Sequence, residues 1–141
     1  MTAKEFLTGI QHDRRRAAAV KERISRLESA AQSVTARYGN GGGGGAHSDG
    51  GAIERAVIRI VEERERLGVV LERMHTARAE AVRLIERLPA EQLKDVLERR
   101  YLDGKSWARI AREMRYSKQH IYRLHERALK EFAQVFEDAS K

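Results

Sequence analysis

The chain gathers most of its helix breakers in two places, and this constrains the fold more than any other feature. Eight of the 11 glycines crowd between Gly39 and Gly51, and the one proline among 141 residues is Pro89. A glycine inside a helix costs about 1 kcal/mol relative to alanine, and a proline about 3 kcal/mol. The stretches on either side of these points are therefore open to long, uninterrupted helix, while residues 39–52 read as a flexible loop. No Lys-Ser or Lys-Thr follows the glycines, so they are not a Walker phosphate loop.

The two stretches flanking the loop carry a heptad pattern. Before it, apolar or small residues recur at Phe6, Ile10, Ala17, Val20, Ile24, Leu27, Ala31, Val34 and Tyr38. After it they recur at Ile53, Val57, Ile60, Leu67, Leu71, Met74, Ala81, Ile85 and Leu88, with Asp13, Arg64 and Arg78 as interruptions. Alternating steps of three and four argue for coiled-coil packing. Folding back around the glycines pairs Tyr38 with Ile53, Val34 with Val57, Val20 with Leu71 and Ala17 with Met74. The same register sets Asp13 opposite Arg78, an opposite-charge pair that would fix the alignment at some cost in stability. Arg64 would face Leu27 and reach outward along its stem. The rival arrangement pairs the first helix with a second copy of the chain, as a homodimer.

Composition narrows the chemistry. Charged residues make up 35% and hydrophobic ones 41%, a balance suited to charged helices. There is no cysteine, hence no disulfide, no thiolate metal site and no cysteine nucleophile. No apolar run approaches the about 18–20 residues of a membrane span. Ala17-Ala18-Ala19-Val20 follows Arg14-Arg15-Arg16, but Lys21, Glu22 and Arg23 end it too soon for a signal peptide. A cytoplasmic protein with no membrane partner is expected. Glu5, Glu22 and Glu28 argue against the basic first helix lying on a lipid surface. His12, His47, His75, His120 and His125 make no metal-binding spacing, and no hydrolase or kinase motif is present. No enzymatic activity, metal or cofactor is expected. The net charge of +7 calls for an anionic partner, nucleic acid foremost.

Pro89 suits the first turn of a new helix and divides the chain into residues 1–88 and 89–141. The second part reads as three helices. The first runs from Pro89 to about Leu102 and is stopped by Gly104. Ser106 caps the second, which carries Trp107, Ile110, Ala111 and Met114. Ser117 caps the third, which carries Ile121, Leu124, Ala128, Leu129, Phe132 and Phe136. A short helix, a tight three-residue break and a longer helix are the parts of a helix-turn-helix. Ala111 sits where the helices must approach closely, and Tyr116 helps fill the turn. Arg115 occupies the turn position that glycine usually takes, where a left-handed backbone costs about 1 kcal/mol. Lys118, Gln119, Tyr122, Arg123 and Arg127 are left on the outward face of the third helix, with His120 near its edge. Lys and Arg read guanine edges and Gln reads adenine in the major groove. Lys105, Arg109, Arg115 and Arg127 have the chemistry to hold phosphates. From Lys105 to Lys130 there are eight basic and two acidic residues, an imbalance the long helices lack.

Leu88-Pro89, Arg99-Arg100-Tyr101-Leu102, Ser106-Trp107, Ile110-Ala111 and Ser117 to Leu129 resemble the promoter-reading region four of sigma factors. The whole chain is similar to the phage-encoded, sigma-like late transcription regulators of the ArpU/RinA type. That resemblance implies an all-α fold: a long antiparallel helical hairpin, a coiled coil, followed by a three-helix region four-like helix-turn-helix. It implies base contacts from Lys118, Gln119 and Arg123, with His120, Tyr122 and Arg127 beside them or on the DNA backbone. It also implies a sequence-specific transcription regulator of phage or prophage late genes in a bacterial host. Its partners would be double-stranded DNA and RNA polymerase. No segment like sigma region two is visible, so a complete sigma factor is not expected. Two other readings stay open: a small terminase subunit or DNA-packaging adaptor, and a structural coiled-coil protein.

Overall fold

The structure, a computed structural model, describes residues 1–40 and 50–141, and the side chains of all of these except 34–40 and 50. It is all-α, with no strand among the described residues. The elements are α1 (Ala3–Asn40), α2 (Gly50–Ile85), α3 (Glu91–Leu97), a π-helical turn (Glu98–Leu102), α4 (Trp107–Met114) and α5 (Lys118–Ala139). The glycine loop expected at 39–52 is shorter at both ends, because α1 continues to Asn40 and α2 begins at Gly50. Its centre, and the side chains of Val34 and Tyr38, lie outside the described residues.

The chain forms two compact units, Met1–Arg14 with Arg73–Lys141, and Arg15–Glu72. The first unit draws on both sides of Pro89. Leu7, Ile10, Leu84 and Ile85 share one core with Leu93, Leu97, Ile110, Ile121 and Phe132, all at most 2% exposed. Burying each such side chain contributes about 1.5–3 kcal/mol, an upper figure because the unfolded chain already hides some surface. Phe6 from α1 packs on Phe132 and Phe136, with ring centroids 6.4 Å and 5.4 Å away. In the second unit α1 and α2 run side by side in opposite directions. Val20 borders a groove with Val69 and Val70, while Glu28 further along α1 pairs with Arg64.

The seam of α2 differs from the sequence reading by one phase. The structure buries or half-buries Ile53, Ala56, Ile60, Glu63, Leu67, Val70, Met74, Ala77, Ala81 and Leu84, and it also covers Leu71 and Ile85 of the expected seam and Leu88 just beyond the helix. Val57, Arg64 and Arg78, expected in the seam, are exposed. Both phases share every seventh residue, so spacing alone does not choose between them. Electrostatics does: the observed phase lets the Arg64 and Arg78 guanidiniums reach polar partners outside the seam and buries one carboxylate. That carboxylate, Glu63, accepts from Arg23 (3.0 Å) and Arg66 (2.8 Å), so its charge is matched. Asp13 likewise lies in the seam of α1, but its partner is Arg73, not Arg78. Arg73 donates to both carboxylate oxygens at 3.0 Å and 2.7 Å. Arg78 is engaged elsewhere: its Nη1 donates to the Leu102 carbonyl at 2.7 Å.

The C-terminal caps follow the sequence closely. The Ser106 hydroxyl accepts from the Arg109 N–H at 3.2 Å, and the Ser117 hydroxyl from the His120 N–H at 3.1 Å. Pro89 precedes α3 by two residues instead of opening it, and Ala90 is the N-cap. The π turn was not legible beforehand. There the Asp103 N–H donates to the Glu98 carbonyl at 2.9 Å, across five residues. The wider turn leaves carbonyls for side chains to satisfy. Gln11 donates to the Arg100 carbonyl (2.9 Å), and Arg14 joins Arg78 on the Leu102 carbonyl (2.9 Å). Arg14, unexplained by sequence patterning, is thus a cap for the turn that leads into α4.

Candidate nucleic-acid interface

Helix α4 ends at Met114, three residues turn, and α5 starts at Lys118. Arg115 takes the left-handed conformation, φ 60° and ψ 44°, so the turn keeps its geometry without glycine. The Tyr116 N–H closes it by donating to the Ala111 carbonyl at 3.0 Å. Ala111 is buried in the core that also holds Ile121, Leu124 and Ala128 of α5. Tyr116 leans on the core, and its hydroxyl accepts from the Gln92 amide at 3.1 Å. His120 is half-buried with its ring 4.4 Å from that of Tyr116.

Helix α5 buries Ile121, Leu124, Ala128 and Phe132 on one side. The opposite side presents two rows at four-residue spacing: Gln119, Arg123 and Arg127, and Lys118, Tyr122 and Glu126. All six are exposed. Lys118, Gln119, Arg123 and Arg127 make no hydrogen bond or ion pair among the described residues. The first turn of α5 holds no acidic residue, so no carboxylate there offsets the positive end of the helix dipole.

The remaining cations are placed differently. Lys105, Arg109 and Arg99 converge on Glu113, with Lys105 Nζ at 2.9 Å and Arg109 Nε at 3.0 Å. These cations hold the Glu113 carboxyl down at about 2, with the Lys105 hydrogen bond contributing most. Two of the expected phosphate contacts, Lys105 and Arg109, are therefore shared with a carboxylate. Glu113 escaped the sequence reading although it lies four residues after Arg109, the spacing of a helical ion pair. Arg112, on α4, is also exposed and makes no ion pair among the described residues.

Trp107 supports the face from behind. Its ring lies 5.5 Å from Tyr122, 4.6 Å from His125 and 4.3 Å from the Arg100 guanidinium carbon. His125 Nε2 and the Tyr101 hydroxyl share a 2.7 Å hydrogen bond. Burial, then the charges of Lys4 and Arg100, lower the His125 pKa to about 4. The imidazole is therefore neutral at pH 7, and the cluster adds no charge to the face. Among the described residues, no three His, Asp or Glu side chains are grouped to hold a metal ion, and no helix is long and apolar enough to cross a membrane.

With the geometry in place, comparison assigns no family: no family model, no curated protein and no solved structure matches this chain.

Proposed function

We propose that the outward face of α5 binds double-stranded DNA in the major groove and that the protein is a sequence-specific transcription regulator. One observation carries this reading. Lys105, Arg109 and Arg99 are drawn to Glu113 and Lys94 to Glu86 and Glu91, whereas Lys118, Arg123 and Arg127 make no ion pair among the described residues and share one exposed side of α5 with Gln119. A merely solvated surface has no reason to sort its charges in this way. Lys118, Gln119 and Arg123 read base edges, while Arg115, Arg127 and the hydroxyl of Tyr122 lie where a phosphate backbone would pass. Arg112 joins the phosphate contacts, and Lys105 and Arg109 do so only by leaving Glu113. The likeness to ArpU/RinA-type regulators extends the proposal to phage late-gene control, with RNA polymerase or a second copy meeting the long helices.

Selection of bound duplexes from a random library, followed by anisotropy titrations, tests the reading. Arg123→Ala is expected to relax preference at one base pair by about 1–3 kcal/mol. Arg127→Ala is expected to weaken all duplexes alike and to reduce the salt slope by about one unit. Binding unchanged in both variants would refute the assigned face.

A further inference from the structure

The loop between the π turn and α4 forms one wall of a cavity lined by cations. Its volume is 360 Å³, near the lower end of the about 300–1,000 Å³ usual for small-molecule sites. Arg14, Arg78, Lys105 and Arg109 line it, with Asp103 as the acidic residue among them. Ile10 and Met74 supply an apolar part of the lining. All of these residues belong to the first compact unit.

The local acids do not cancel this charge. Arg14 makes no ion pair among the described residues, and Arg78 approaches Asp103 only at 3.8 Å. Lys105 lies 4.0 Å from Asp103 and 2.9 Å from Glu113, which also takes Arg109 (3.0 Å) and Arg99. Four cations against one carboxylate leave three positive charges in the lining, and including Glu113 and Arg99, which lie outside it, leaves that excess unchanged. Two of the cations are also held in place. Arg14 and Arg78 each donate through Nη1 to the Leu102 carbonyl, at 2.9 Å and 2.7 Å. Their guanidiniums carry further N–H donors in a fixed fork. A neutral carbonyl offsets only part of the repulsion between two cations drawn to the same oxygen. Donors fixed in this way lose little freedom when an anion binds.

The excess charge selects the anion. A phosphate monoester carries about −1.5 to −2 at pH 7 and three strong acceptor oxygens. A backbone diester carries a single negative charge. Three uncompensated cations in a concave site match the monoester better, and Ile10 and Met74 offer a surface for the carbon skeleton attached to it.

We propose that this cavity binds a small molecule bearing a phosphate monoester. Arg14 and Arg78 hold the phosphate without leaving Leu102, and Lys105 and Arg109 reach it by turning from Glu113. The site does not depend on α5 contacting DNA.

Isothermal titration calorimetry of the full chain with inorganic phosphate, phenyl phosphate and dimethyl phosphate tests it. The first two are expected to bind saturably at one site, phenyl phosphate the tighter because its ring covers Ile10 and Met74. Dimethyl phosphate, a diester, should bind more weakly than phenyl phosphate by at least about tenfold. Arg78→Gln should weaken phenyl phosphate at least about tenfold through the loss of a charged donor. Circular dichroism melts check that this variant folds, since Leu102 keeps its bond from Arg14. Asp103→Asn should tighten phenyl phosphate a few-fold, a gain that no loosening of the fold would produce. Arg123→Ala should leave phenyl phosphate binding unchanged while altering DNA preference. Absence of saturable binding by inorganic or phenyl phosphate at millimolar concentration would overturn the proposal, as would affinities indifferent to both Arg78→Gln and Asp103→Asn. Equal binding of the diester and the monoester, with duplex affinity falling in Arg78→Gln, would mark a DNA-backbone contact and overturn it as well.

Discussion

Gly104→Ala probes how the π turn is locked before α4. Gly104 has φ 69°, and a Cβ added there would lie 2.8 Å from Nη1 and 3.1 Å from the central carbon of the Arg14 guanidinium. Two costs follow. A side chain in the left-handed region costs about 1 kcal/mol. Arg14 must also move off the Leu102 carbonyl, losing a charged hydrogen bond of about 1.5 kcal/mol. Stiffening of the unfolded chain returns about 0.5 kcal/mol. The net expectation is a loss of about 2 kcal/mol, a large share of the 5–15 kcal/mol typical of a domain. Leu102 keeps its bond from Arg78 (2.7 Å), so its carbonyl is not orphaned and the loss stops there. The assay is urea unfolding followed by far-ultraviolet circular dichroism, run as a double-mutant cycle with Arg14→Ala. With Arg14 gone, the same glycine substitution should cost only about 0.5 kcal/mol, a coupling of about 1.5 kcal/mol. An equal cost in both backgrounds would show that Arg14 and Gly104 do not communicate, and the capping argument would fail.

Other perturbations have equally definite signs. Arg115→Gly relieves the left-handed strain at φ 60° and removes no hydrogen bond from the fold, so stability should rise by about 0.5–1 kcal/mol. A lower thermal midpoint would contradict this, and a drop in DNA affinity alongside greater stability would mark Arg115 as a phosphate contact. His125, with its pKa lowered to about 4 from 6.5, stays neutral in the folded state while the unfolded chain takes up a proton. Its contribution is complete above pH 6.5 and is lost as pH falls from 6.5 to 4. The protein has one tryptophan, and its ring is 4.6 Å from His125, so Trp107 fluorescence should titrate with a midpoint near 4. A midpoint near 6.5 would mean that the ring is not buried as described. Glu113, lowered to about 2 from 4.5, adds a separate loss as pH falls from 4.5 to 2. Glu113→Gln should remove that second phase and free Lys105 and Arg109, strengthening DNA binding irrespective of sequence.

The all-α class, the serine caps at 106 and 117, the stop at Gly104 and the apolar side of α5 were determined by local chemistry. Each depends on residues within one or two turns of each other, and such features can be read directly from spacing. The exposed row of Gln119, Arg123 and Arg127 was legible for the same reason, since the buried side of a helix defines its opposite. The phase of the α2 seam was not. Two patterns shared every seventh residue, and the choice rested on Glu63 finding Arg23, a partner 40 residues away. Arg78 left its expected place opposite Asp13 because the π turn presents a carbonyl that only the folded chain brings near. Glu113 took Lys105 and Arg109 off the free face by the same kind of contact. Periodicity states which residues belong on one side of a helix. Which charge meets which depends on long, flexible side chains competing for partners, and only the tertiary structure settles that competition.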